Sequence, residues 1–177
     1  MFVLAIIFGV IIGYMLKGRL SNLENMELKG IYLIAFGFAI EFVVILLIRK
    51  NIVTAGISTL FLDVIMYLLI LIFIFLNKKN RYIVIMGMGF MLNALAIFSN
   101  GGTMPVSTSA LETIGFSTNV HTEGLYTLID ANTNLSFLGD IIPIDFIGRF
   151  VVSVGDIISG IGLILFIITS MRKSASK

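Results

Sequence analysis

Apolar positions fall in five long runs separated by short polar or basic intervals, over Phe2–Leu16, Gly30–Ile48, Gly56–Leu76, Tyr82–Phe98 and Phe150–Ser170. At a helical rise of about 1.5 Å per residue, a bilayer core of about 30 Å is crossed by roughly 17 to 25 residues. The later runs reach that length, and the first depends on its flanks. The pattern predicts an all-α polytopic membrane protein of five transmembrane helices, with residues 1–177 as a single transmembrane domain. One segment breaks the pattern. Residues 99–149 are rich in Ser, Thr, Asn and Gly, and hold both prolines and the sole histidine, His121. A connection of this length is usually functional or disordered. Apolar residues scattered through it, such as Leu111, Phe116, Phe137 and Ile144, argue against disorder. We expect a partly structured extracytoplasmic loop capping the bundle.

Turn chemistry marks two places in that loop. Asn100-Gly101-Gly102-Thr103-Met104-Pro105-Val106-Ser107 supplies positive-φ residues and then a helix start, predicting a short helix over 108–114. Phe137-Leu138-Gly139-Asp140-Ile141-Ile142-Pro143-Ile144 is apolar around Asp140, which needs a partner or water there. The loop reads either as a lid that seals the bundle or as a surface for a ligand or partner.

Composition sharpens the class. The chain is 58% hydrophobic and 12% charged, has no cysteine, and carries a net charge of only +2. Mean hydropathy is +1.08. Soluble and disordered classes are excluded, as are thiolate metal sites, disulfides and cysteine nucleophiles. Nothing points to nucleic acid, and the bilayer is the expected surrounding. Lys17, Arg19 and Lys29, then Lys78, Lys79 and Arg81, then Arg172, Lys173 and Lys177 place nine of the 12 basic residues on one side. The positive-inside rule makes that side cytoplasmic, with the N-terminus outside and the C-terminus inside. Arg49, Lys50 and Arg149 are the exceptions. Lys17 and Arg19 follow the first run rather than precede it, unlike a signal peptide. Residues 17–29 read either as a short surface helix or as a plain charged loop.

Four polar residues interrupt the spans: Glu41, Asp63, Asn93 and Asp156. Counted from the outer helix ends, all four lie roughly 7 to 11 Å deep. They form one layer on the side of the long loop. Carboxyl groups at membrane depth face the bundle interior. Three acids cannot all stay ionised in a dry site without a countercharge. They bind a cation, share protons, pair with a base such as Arg149, or open to water. Glu41, Asp63, Asn93 and Asp156, with Asp140 above them, are therefore the candidate ligand-binding residues. Inter-helix hydrogen bonding that fixes packing is the competing reading. Small residues suggest close helix approach at Gly9 and Gly13, at Ala35 and Ala39, and along Gly155, Ser159 and Gly162. Gly87 and Gly89 are read as loosening the fourth helix.

Catalytic and cofactor motifs are missing. There is no phosphate-binding loop, zinc constellation or Gly-x-Ser-x-Gly elbow, and neither a metal nor a cofactor is invoked. Ser107 or Ser109 with His121 would supply a nucleophile and base, with Asp130 or Asp140 as orienter, though serine is common in this loop.

Four stretches together carry a resemblance: Gly18-Arg19-Leu20-Ser21-Asn22-Leu23, Asn100 to Ser107, Phe137 to Pro143, and Ser153-Val154-Gly155-Asp156. In this order they resemble a bacterial integral membrane family, domain of unknown function family 5317. The resemblance implies a small multi-span protein of the bacterial cytoplasmic membrane and brings no activity with it. The favoured function is a non-enzymatic accessory, scaffolding or regulatory subunit, with a membrane-protein partner or a second copy of itself. A carrier or channel for a proton, cation or small polar ligand is the alternative. An enzyme acting on lipid or peptide at the outer surface is the third reading.

Overall fold

The computed structural model describes residues 1–24, 27–50, 52, 57–116 and 125–172. Helices α1 (Phe2–Met15), α2 (Ile31–Arg49), α3 (Ile57–Leu76) and α4 (Arg81–Ser99) come first. A segment of short elements follows: β1 (Met104–Val106), α5 (Thr108–Thr113), β2 (Tyr126–Leu128), β3 (Ile142–Ile144) and β4 (Phe150–Val152). The last helix is α6 (Val154–Arg172).

The expectation of five transmembrane helices is not met. Among the described residues, three helices are long and apolar enough to cross a membrane: Ile31–Ile48 of α2, Arg81–Ser99, which is all of α4, and Val154–Arg172, which is all of α6. Helix α1 has 14 residues, or about 21 Å of rise. It stops at Met15 because the chain turns there. Lys17 takes a left-handed φ of 62°, its N–H donates to the Tyr14 carbonyl, and the Gly18 N–H donates to the Gly13 carbonyl. This is a Schellman ending with lysine at the position glycine usually holds. In α3 the described apolar stretch, Leu60–Leu76, is shorter than those three. Gly56, which opens the predicted third run, lies outside the described residues. Counting apolar residues overreached because turn residues such as Leu16 look the same as helical ones. The last helix likewise starts at Val154, not Phe150, because Phe150–Val152 pair antiparallel with Ile142–Ile144.

The helices pack as two groups. Helix α6 lies against α4 and α1, while α2 lies against α3, and a narrower α3–α4 contact joins the groups. The α4–α6 seam is close because it lacks side chains. A Cβ on Gly89 would overlap the Gly155 carbonyl and Ser159 Oγ, and one on Gly162 would sit 2.6 Å from the Met86 nitrogen. Ser159 Oγ donates to the Met86 carbonyl at 3.0 Å. Gly87 seats Ile74 of α3, so Gly87 and Gly89 tighten α4's contacts rather than loosen the helix. Gly9 and Gly13 receive Ile167 and Met171 of α6. Ala35 and Ala39 are exposed. Met66, Tyr67 and Ile70 of α3 bury against Phe90 and Ala94 of α4. Asn77 fixes the α2–α3 hairpin at its basic end, donating to the Lys29 carbonyl at 2.7 Å and accepting from the Lys29 N–H at 3.0 Å.

Residues 17–24 form a single 3-10 turn, Leu20–Leu23. The Arg19 N–H and Asn22 Nδ2 both donate to the Met171 carbonyl, at 2.9 and 2.6 Å. In the long segment, β1 pairs parallel with β2, and a single bridge joins Val106 to Asp140. Met104 and Leu138 bury against Ala96 of α4. Helix α5 forms where turn chemistry predicted, with Ser107 Oγ accepting from the Ala110 N–H at 3.3 Å.

Candidate functional site

Asp156 and Asn93 are brought together by the end of one helix and the side of another. Ser153 caps α6, and the run Ser153-Val154-Gly155-Asp156 is a capping box. The Asp156 N–H donates to Ser153 Oγ at 2.9 Å, and the Ser153 N–H donates to Asp156 Oδ2 at 3.4 Å. Asn93 closes a ring over this cap. Its Nδ2 donates to Asp156 Oδ1 at 3.0 Å, and its Oδ1 accepts from Ser153 Oγ at 2.7 Å. Gly155 makes room for the ring, since a Cβ there would overlap Asn93 Oδ1. Asp156 therefore lies in the first turn of α6, where the helix dipole favours its charge.

Glu41 from α2 and Asp63 from α3 reach the same space, each half-buried. Tyr67, one turn beyond Asp63, lies within electrostatic range of Glu41, Asp63 and Asp156. Its ring meets Phe98 edge-on at 5.4 Å.

Asp140 enters from the loop. Its backbone is clamped on both sides, the N–H donating to the Pro105 carbonyl at 2.7 Å and the carbonyl accepting from the Ser107 N–H at 2.9 Å. A Cβ on neighbouring Gly139 would come within 2.5 Å of the Pro105 carbonyl, so this approach requires glycine. The Asp140 side chain is 8% exposed. Its Oδ1 has no hydrogen-bond partner among the described residues. Burial first, and the charge of Asp156 second, push its carboxyl up to about 8.

All five predicted residues line one cavity of about 190 Å³. Tyr67, Phe38 and Tyr126 contribute aromatic walls, and Phe2 and Phe90, stacked at 5.6 Å, lie at its base. Phe2, Phe38 and Phe90 also border a second, wholly apolar cavity of about 260 Å³. No lysine or arginine among the described residues lines the polar cavity. Arg149, the expected countercharge, is exposed and does not reach it. Among the described residues no three His, Cys, Asp or Glu side chains cluster tightly enough to hold a metal ion.

Sequence reasoning missed Ser153 and Tyr67 as parts of the site. The Ser-x-x-Asp spacing was a readable signal for the first, and Tyr67 gave none beyond its place one turn from Asp63. Ser107 Oγ and Ser109 Oγ lie 2.9 Å apart. His121 and Glu123 lie outside the described residues.

A family profile described as "Family of unknown function (DUF5317)" matches residues 25–168. The chain belongs to this family. A relative from Thermotoga maritima, described as "Uncharacterized protein", is 29% identical over 159 residues, covering 89% of this chain and 84% of the relative. No solved structure matches the chain. Three helices long and apolar enough to cross a membrane among the described residues, family membership and a bacterial relative make this DUF5317 protein a bacterial membrane protein. Of the four stretches that carried the resemblance, Gly18–Leu23 lies before the matched segment, and the other three lie inside it. Those three are also the ones that build the clamp around Asp140 and the cap beneath it.

Proposed function

We propose that this DUF5317 protein is a membrane-embedded binding protein for a small organic cation, taken up by the cavity between α2, α3, α4, α6 and the long loop. The observation that carries this reading is the cavity's imbalance: four carboxyl groups and no basic side chain among its described lining. The buried Asp140 Oδ1, unpartnered among the described residues, marks a place for a donor. An ammonium group supplies both charge and donors, and the aromatic walls favour it by cation–π attraction. A chelated metal ion fits less well, since the carboxyls do not cluster as metal ligands. The aromatic base of the cavity and the wholly apolar cavity beyond it oppose a continuous ion path, so binding suits the geometry better than a channel. An active site on lipid or peptide finds no support in the described residues.

In this reading the loop of residues 99–149 is the extracytoplasmic cap and the basic face is cytoplasmic, as the positive-inside bias argues. The test is thermal stabilisation of the purified protein by ethylammonium or tetramethylammonium. At a hundredfold excess over Kd a ligand stabilises by about 2.7 kcal/mol. Sodium at equal ionic strength should give no such shift, and Asp156→Asn should abolish it. Failure of every organic cation to stabilise the wild type would end this reading. A second reading, association through α2, draws on the exposed Ala35 and Ala39, whose spacing suits close helix approach. Disulfide cross-linking of Ala39→Cys in membranes tests it cleanly, because the chain has no native cysteine.

A further inference from the structure

The basic end of the bundle holds a third cavity, separate from the acidic one and the apolar one. It is a groove of about 660 Å³ between the start of α4 and the end of α6, lined by Lys79, Asn80, Arg81, Tyr82, Thr169, Ser170 and Arg172. Its cations come from two separate segments of the chain, and no acidic side chain lines it among the described residues. The two groove hydroxyls of α6 are satisfied within their own helix: Thr169 Oγ1 donates to the Leu165 carbonyl at 2.7 Å and Ser170 Oγ to the Phe166 carbonyl at 2.5 Å. The donors left facing the groove are therefore mainly the charged ones. Arg81 is exposed and leans on its neighbour, its guanidinium donating to the Tyr82 hydroxyl at 2.8 Å and lying 4.9 Å from the ring centroid. Lys78, next in the same turn, instead covers the Phe75 ring at 4.2 Å and does not line the groove.

We propose that this groove binds the phosphate headgroup of an anionic phospholipid from the same leaflet. A planar guanidinium matches phosphate oxygens in pairs, and a preorganised one loses less freedom on binding. A juxtamembrane Lys/Arg site of this kind attracts anionic lipid at close range. The groove lies at the ends of two helices long and apolar enough to cross a membrane, and both carry exposed apolar side chains further along, Met88 on α4 and Ile161 on α6. A lipid satisfies both surfaces at once, while free phosphate satisfies only the first. Topology signalling alone requires positive charge on this side, but not a groove fed from two chain segments with one guanidinium laid against a tyrosine.

The experiment reconstitutes the full chain in vesicles of equal phosphatidylglycerol and phosphatidylcholine, extracts it gently, and counts retained lipid by native mass spectrometry. Wild type should keep phosphatidylglycerol in preference to phosphatidylcholine. Arg81→Gln with Arg172→Gln should reduce that retention about tenfold or more. Lys17→Gln with Lys78→Gln removes the same charge from the same face outside the groove and should leave retention unchanged. Equal loss in both double variants, or no headgroup preference in the wild type, overturns the proposal. Displacement of the lipid by millimolar inorganic phosphate would also overturn it, showing a free anion to be the occupant. Both substituted pairs are surface residues, and accumulation in the membrane checks their folding.

Discussion

Asp140→Asn should remove a pH dependence that the wild-type protein shows. Burial and the nearby Asp156 charge push the Asp140 carboxyl from 3.8 to about 8, so the folded chain holds a proton that the unfolded chain releases near pH 4. Between these values the native state binds more protons than the unfolded state, and stability falls as pH rises. The contribution is fully present below about pH 4 and is lost on passing about pH 8. A shift of about four pKa units corresponds to a ceiling on the order of 5 kcal/mol. For a chain of this size each kcal/mol moves the melting temperature by about 2 to 4 °C. Hydration of the Pro105–Ser107 clamp lowers the realised value, because that local opening is cheaper than global unfolding. Melting curves in detergent from pH 5 to 9 should fall by several degrees more in wild type than in Asp140→Asn, which is neutral throughout and nearly the same shape. Parallel curves for the two proteins would refute the burial argument. A wild type that gains stability relative to the variant as pH rises would reverse its sign.

Other residues give shorter tests. Asn93→Leu strips Asp156 Oδ1 and Ser153 Oγ of their partner and should cost about 1–3 kcal/mol of thermal stability. Ser153→Ala removes half of the capping box and should cost about 1 kcal/mol, with hydrogen exchange faster at the Asp156 amide. Gly155→Val drives a side chain into Asn93 and the Gly89 carbonyl, and should lower stability by about 1–3 kcal/mol while disturbing the cavity. Ser21→Cys should resist a membrane-impermeant thiol reagent added to intact cells, whereas Asn132→Cys should react. The opposite pattern would invert the orientation.

The sequence made the site more legible than the span count. Depth counting placed Glu41, Asp63, Asn93 and Asp156 in one layer, and their carboxyl and amide side chains line one cavity with Asp140. The convergence follows from the energetic cost of polar groups facing lipid, which constrains direction as well as depth. Two kinds of information were invisible. Hydropathy does not register where backbone leaves the helix, so Leu16 was counted with α1 and Phe150 with α6, although one precedes a left-handed turn and the other lies in a strand. Short strands of three residues carry no alternation long enough to read. Arg149 was a reasonable countercharge by sequence proximity, yet the β3–β4 hairpin leaves it exposed.

The cavity's position between two helix groups bears on how a ligand would be held. Asn93, Ser153 and Asp156 are hydrogen-bonded to one another across the close α4–α6 seam, and Asp140 is clamped to the loop that buries against α4. That side is built as one rigid surface. Glu41 and Asp63 stand on the α2–α3 pair, which meets the rest of the bundle mainly through the narrower α3–α4 contact. A cation seated between the two sides is attracted to carboxyls on both. Binding therefore adds an electrostatic link where the packing is thinnest, and amide hydrogen exchange should slow on occupancy more in α2 and α3 than along the α4–α6 seam.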